Sequence, residues 1–217
     1  MVKANLNFEL NLWKEHNLIA GVDEAGRGAL AGPIVVAAVI LPMYFNSSLI
    51  QDSKILKPLQ RNKAYGFIRK NALECSIAIK SPREVESKNP LQATKEAMIE
   101  ATLKLKNKPD LCLVDGKEEI AISGVPTQSI IGGDRKSINI AAASIIAKVT
   151  RDDIMKNLHK KYPRYDWENN KGYPNPTHLQ AIFKYGICSL HRKTYEPIKS
   201  LVSGKMDKQE VARKYNL

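Results

Sequence analysis

The chain has 217 residues, with 34 Lys and Arg against 22 Asp and Glu and a formal charge of +12. That length supports one large domain with a substantial core, and the cation excess favours a polyanionic partner, nucleic acid ahead of an acidic membrane surface. Cys75, Cys112 and Cys188 are odd in number and lack Cys-x-x-Cys spacing. This argues against a disulfide framework or zinc site and points to a reducing, cytoplasmic setting. The polar start carries no apolar signal core and no run reaches spanning length, so the membrane reading of the charge loses its support.

Residues 1–17 read as a short amphipathic lead-in. Leu18 to Val22 is a buried strand running into Asp23-Glu24. A loop with Gly26, Gly28 and Gly32 follows, then a β-branched run from Ile34 to Leu41, so the two strands suggest a hairpin. Asp52-Ser53-Lys54 opens a basic stretch, and residues 57–71 predict a helix with Pro58 in its first turn. Cys75 to Lys80 is a third strand. A helix from Pro90 places Leu91, Thr94, Ala97, Met98, Ala101 and Leu105 on one face. Leu111 to Val114 is a fourth strand ending at Asp115-Gly116, and Gln128 to Ile131 a fifth, ending at Gly132-Gly133-Asp134. A long helix spans residues 137–162 with Ile138, Ala141, Ile145, Ala147 and Val149 on its apolar face; a loop at Lys171-Gly172-Tyr173, a helix over 177–185 and a helical C-terminal tail complete the chain. A hairpin followed by alternating strands and helices predicts a mixed sheet flanked by helices, of the α/β class.

The chemistry sits at strand ends. Asp23-Glu24 follows the first strand, Asp115 ends the fourth, Asp134 precedes the long helix, and Asp152-Asp153 lie along it. Neighbouring strand ends meet in space while far apart in sequence, and converging carboxylates need cations to neutralise them. Oxygen ligands without His or Cys suit Mg²⁺ or Mn²⁺. Two such ions about 3.5–4 Å apart are the usual apparatus for phosphodiester cleavage, one activating water and the other stabilising the leaving 3′ oxygen. Taken singly, each Asp reads first as a turn or helix-cap residue, and Asp152 also as an exposed partner for Lys156. Only the joint pattern raises the site reading.

The run Gly21-Val22-Asp23-Glu24-Ala25-Gly26-Arg27-Gly28-Ala29-Leu30-Ala31-Gly32-Pro33 resembles the signature of ribonuclease HII. Further matches follow in order: Asp52-Ser53-Lys54, Val114-Asp115-Gly116, residues 133–137, residues 141–152, Lys171-Gly172-Tyr173, His191-Arg192 and Tyr195-Glu196-Pro197. The series covers about residues 18–200. The resemblance implies a ribonuclease H-like mixed five-stranded sheet flanked by helices, with a catalytic domain over residues 1–200 and a small helical C-terminal extension over 201–217. It implies that Asp23, Glu24, Asp115 and Asp134 are catalytic carboxylates holding two Mn²⁺ or Mg²⁺ ions. Gly26-Arg27-Gly28 would sense the ribose 2′-hydroxyl beside the scissile phosphate, Tyr173 would stack on the sugar of the following deoxynucleotide, and Asp52, Ser53 and Lys54 would contact phosphate. The implied substrates are RNA–DNA hybrids and DNA duplexes containing ribonucleotides, cut to leave 5′-phosphate and 3′-hydroxyl ends. A cytoplasmic monomer is expected. The sequence gives no support for a replication-clamp contact through residues 203–217. Ala29 stands where the family usually has proline, and Ile55 where it often has a second lysine. Every expected carboxylate is present.

The residues themselves agree at three points. Glycines let main chain approach a ligand closely, the 2′-hydroxyl is what separates RNA from DNA, and Arg27 suits phosphate; on spacing alone the loop also fits a tight hairpin turn. Tyr173 in a basic loop offers a stacking surface, or packs half-buried against a helix. Basic residues gather at Lys54, Lys57, Arg61 and Lys63 and again at Lys156, Lys160, Lys161 and Arg164, either for a duplex or as solvated helix faces. His159, His178 and His191 offer imidazole acid–base chemistry as a competing idea, without metal-ligand spacing among them.

Overall fold

The structure, a computed structural model, describes residues 7–214. Five strands form one mixed sheet: β1 (Ile19–Ala25), β2 (Ile34–Ile40), β3 (Glu74–Lys80), β4 (Leu111–Asp115) and β5 (Thr127–Ile130), in the order β3-β2-β1-β4-β5. β1 and β2 are antiparallel, with Val22 opposite Ala38 and Asp23 opposite Ala37. β4 runs parallel to β1, pairing Val114 with Val22, and β5 runs parallel to β4, pairing Ile130 with Asp115. Every residue of β2 is buried, as its unbroken Ile-Val-Val-Ala-Ala-Val-Ile run requires. β1 extends through Asp23-Glu24 to Ala25, so both acids belong to the strand. β5 ends one residue earlier than expected and leaves Ile131 exposed.

The helices are α1 (Asn7–Leu12), α2 (Pro58–Asn71), α3 (Pro82–Lys88), α4 (Pro90–Leu103), α5 (Ile138–Lys161), α6 (Trp167–Asn170), α7 (Pro176–Tyr185), α8 (Ile198–Val202) and α9 (Lys208–Lys214). The chain divides into two compact units, Met1–Ala25 with Val35–Ile79 and Thr94–Thr150, and Gly26–Ile34 with Lys80–Ala93 and Arg151–Leu217.

In the first unit, one sheet face takes α5 and α1: Trp13, Ile19, Leu111, Leu113, Ile130 and Ile140 cluster there. α2 joins the same layer through Ala64 and Ile68, which pack with Ala37, Val39 and Ile145. The opposite face takes α4, whose Thr102 lies 3.7 Å from the Cys112 sulfur. Leu91, expected on the buried face of α4, is exposed at its start, whereas Ala97, Met98 and Ala101 are buried as expected. Residues 138–147 of α5 are buried on every side, Asn139 and Ser144 included, beyond the single apolar face expected of this helix. Its start is fixed from three directions. Ser137 Oγ accepts from the Ile140 N–H at 3.1 Å, Glu9 of α1 accepts from the Asn139 N–H at 3.2 Å, and Asn139 Oδ1 accepts from Leu41 N–H at 2.9 Å. An acid at a helix N-terminus also meets the positive end of the helix dipole.

In the second unit, Ala31, Met155, Tyr165, Trp167 and Ala181 form one cluster, and Leu30, Leu179, Ile182 and Ile198 another. α3 lies where the sequence pattern predicts no helix, although its start follows a known rule. Ser81 Oγ accepts from the Glu84 N–H at 3.3 Å, Glu84 accepts from the Ser81 N–H at 2.8 Å, and Pro82 fills the first helical position: a capping box. Ser81→Ala is expected to lower stability by about 1 kcal/mol, read as a shift in urea midpoint at constant slope; an unchanged midpoint would show that the box does not hold the helix. Among the described residues no helix is long and apolar enough to cross a membrane.

Candidate active site

One step past the Val22–Val114 pair of the parallel register come Asp23, near the end of β1, and Asp115, the last residue of β4. Adjacent strands lie about 4.8 Å apart, so sheet pairing alone brings these two acids together. Asp23 is buried, 5% exposed, and its Oδ1 accepts the Glu24 N–H at 2.7 Å. Ser144 of α5 also hydrogen-bonds to it, and Ser144 Oγ lies 2.9 Å from Ser53 Oγ. Asp115 accepts the Gly133 N–H at 2.7 Å. This bond ties the β4 end to the short 3-10 turn Gly133–Arg135, which carries buried Asp134. Lys54 Nζ reaches Asp134 Oδ2 at 3.0 Å.

Electrostatics show how close these groups are. Burial, then the charges of Glu24 and Asp115, hold the Asp23 carboxyl well above its ordinary range, against the Ser144 and Glu24 hydrogen bonds. Burial also raises Asp115, with Asp134 adding to the rise while the Gly133 N–H and Lys54 oppose it. Desolvation works to lower the Lys54 ammonium, but the hydrogen bond and charge of Asp134, then Asp23 and Asp52, outweigh it. Asp52 itself turns its Oδ1 onto the Lys54 N–H at 2.8 Å, and Arg61 Nε donates to Ser53 O at 2.8 Å. Asp52 and Arg61 therefore shape the turn that presents Lys54.

Among the described residues no three His, Cys, Asp or Glu side chains already stand as an assembled ion site. Asp23, Asp115 and Asp134 are each held by their own donors. The donor set nevertheless fits hard divalent ions: carboxylate oxygens with no competing thiol or imidazole, partly buried, and driven toward protonation by one another.

The second unit carries the other predicted residues. Gly26 has φ +93°, and a Cβ there would overlap the Arg151 guanidinium, so only glycine suits the position. Arg27 and Gly28 are exposed. The Arg27 carbonyl is held from behind by Arg192 Nη1 at 2.9 Å and by the Tyr195 hydroxyl at 2.8 Å. Tyr173 is half-buried, its ring centroid 5.2 Å from Arg151 Cζ. Asp152 acts electrostatically on Arg151. His178 and His191 are fully buried and bonded to each other at 3.2 Å, so their rings serve packing. Ser144, Arg151 and Arg192 lie within the motifs matched in the sequence, but no role is expected of them there. The signal was available for Ser144, a lone hydroxyl inside an alanine- and isoleucine-rich helix; nothing local distinguishes a buried Arg from a surface one.

A family model described as Ribonuclease HII matches residues 20–197. The ribonuclease HII of Mycoplasma mycoides is 50% identical over 189 residues, covering 86% of this chain and 91% of that one. That of Bacillus cytotoxicus is 47% identical over 188 residues, covering 87% and 72%. Among solved structures, the ribonuclease H2 of Pyrococcus horikoshii superposes with a TM-score of 0.72 at 25% identity, covering 92% of this chain and 99% of that one. Ribonuclease HII from Archaeoglobus fulgidus, solved in complex with PCNA, also scores 0.72, at 28% identity over 82% and 95%. With a family match across most of its length and relatives near half identity, the chain belongs to the ribonuclease HII family.

Proposed function

We propose that this endoribonuclease hydrolyses the RNA strand of RNA–DNA hybrids and incises 5′ to ribonucleotides embedded in duplex DNA, leaving 5′-phosphate and 3′-hydroxyl ends. The observation that carries the reading is the raised pair of carboxyls on adjacent strands, Asp23 by burial and the charges of Glu24 and Asp115, and Asp115 by burial and the charge of Asp134. Such a pair costs stability unless a cation is brought to it. Asp23, Glu24, Asp115 and Asp134 would hold two Mg²⁺ or Mn²⁺ ions. When bound, these ions neutralise charge on the scissile phosphate, activate water and stabilise the leaving oxygen.

The chain's own residues supply the rest. Ser144 and the Glu24 N–H orient Asp23, and the Gly133 N–H orients Asp115. Lys54, largely exposed at 74%, is placed to shift from Asp134 to a substrate phosphate, with Asp52 and Ser53 building its turn. Main-chain groups of Gly26, Arg27 and Gly28 read the 2′-hydroxyl, and Tyr173 stacks on the next sugar. The protein acts as a monomer, with residues 1–200 as catalytic domain and 201–217 as a tail.

The test is incision of a DNA duplex carrying one ribonucleotide and of a continuous RNA–DNA hybrid, each with Mg²⁺, Mn²⁺ or EDTA. Cleavage of both with either metal, none with EDTA, and no cleavage of all-DNA duplex is the expected outcome. Folded protein that cuts neither substrate with either metal overturns the proposal.

A further inference from the structure

Two loops that the proposed function assigns to different parts of the substrate are built as one body. Leu30 and Ala31 N–H both donate to Gly172 O, at 2.8 and 3.2 Å. Gly172 has φ +79°, and a Cβ there would sit 2.5 Å from Ala31 O, so the contact needs glycine. Arg151 lies between them, fully buried. Its Nε donates to Pro33 O at 2.9 Å, its Nη2 to Ala31 O at 3.1 Å and its Nη1 to Lys171 O at 2.9 Å. The same guanidinium faces the Tyr173 ring and fills the space left by Gly26. One side chain thus touches the start and end of the glycine loop, the base of the second loop and the ring that the second loop presents. Burial lowers Arg151 to about 10, which leaves it charged at neutral pH.

We propose that Arg151 is a positioning residue for substrate selectivity: it holds the Tyr173 ring at a fixed offset from Gly26-Arg27-Gly28, so that a ribose and the sugar after it are read together. This rests on the proposed roles of that loop and that ring. A planar guanidinium forks to several carbonyls while its face lies against a ring; a compact ammonium of equal charge cannot hold both at once. Arg151→Lys therefore keeps the charge and loses the coupling.

The experiment compares kcat/KM on the duplex with a single ribonucleotide and on the continuous hybrid, for the parent, Arg151→Lys, Tyr173→Leu and the double variant. Parental activity on both substrates tests the functional reading by itself. The single-ribonucleotide preference should fall roughly tenfold in Arg151→Lys, the scale of a desolvated cation–ring contact, mainly through KM. Tyr173→Leu should lose a similar factor, and the double variant no more than either single change, because both remove one arrangement. A preference kept in folded Arg151→Lys, or losses that multiply, overturns the proposal. If Arg151→Lys does not melt cooperatively, NMR of the unaltered protein with hybrid in EDTA replaces it. Arg151 Nε–H and the Tyr173 ring should then shift together with the junction duplex and not with all-DNA duplex; a shift of Tyr173 alone overturns the proposal.

Discussion

Asp23→Asn should turn over an RNA–DNA hybrid roughly 10³-fold more slowly, or worse, while melting at or above the parental temperature. The two halves of that result have one cause. The Asp23 carboxylate is buried near the end of β1 beside Glu24 and Asp115, and both burial and those charges oppose its ionisation. The amide keeps an acceptor for the Glu24 N–H and removes the charge, so the fold gains where the chemistry loses. The pH dependence has a definite sign. A carboxyl raised in the folded protein binds its proton more tightly there than in the unfolded chain. Between the ordinary carboxylate range and the raised value, the folded state therefore holds more protons and parental stability falls as pH rises. Asp23→Asn lacks that decline, so without divalent cations its melting advantage should widen from pH 4 to pH 8. Asp115→Asn should behave alike with a smaller stability gain, since Asp115 is less buried and Lys54 and the Gly133 N–H oppose its rise. Retention of a tenth of parental turnover would remove Asp23 from the chemistry, and a variant less stable at pH 8 would make the carboxylate a structural group.

Strands and acids were legible because their signals are local. An apolar run ending in Asp predicts a carboxylate at a sheet rim; β4 ends that way, while β1 runs on past Asp23 to Ala25. The apolar face expected of α5 is buried, but so is every other side over residues 138–147, Asn139 and Ser144 included. What could not be read was which partner each polar group would find. Arg61 read as one of several basic residues near Lys54, yet its guanidinium is bonded to Ser53 O and Leu56 O in the loop before its helix. Arg151 read as a helix residue beside an acid, yet it bonds carbonyls more than a hundred positions earlier. Sequence spacing carries no information about such long-range contacts. α3 is a different case: Ser81-Pro82-Arg83-Glu84 carries its cap in plain view, but seven residues are too few to show helical periodicity.

Acidification below pH 6.5 should destabilise the protein through one buried pair. His178 Nδ1 faces the Tyr173 carbonyl at 3.0 Å, so it carries the proton, and Nε2 is left to accept from Trp167 Nε1–H at 3.0 Å and from His191 at 3.2 Å. His191 in turn accepts the Cys188 N–H on Nδ1 at 3.0 Å and donates from Nε2. Each of the four ring nitrogens thus has a role that only two neutral rings can fill; protonating either sets N–H against N–H. Burial lowers His178 to about 4 and His191 to about 3, the charge of His178 adding to the fall of His191. Unfolded histidine titrates near 6.5. The stability tied to the neutral pair is therefore complete above about pH 6.5 and is lost as pH falls toward the folded values, on the order of several kcal/mol across the window. Carboxylates titrate in the same range, so the contribution is isolated by difference. A His178→Gln, His191→Gln double variant should be less stable at pH 7 yet lose much less between pH 7 and pH 5 in urea titrations. Equal losses in parent and variant, or imidazole NMR signals titrating near 6.5 in the folded parent, would rule the pair out. Because His178 holds the Tyr173 carbonyl, the same acid step should loosen the loop that presents Tyr173 before the protein unfolds, detectable as hydrogen exchange rising first at residues 171–175.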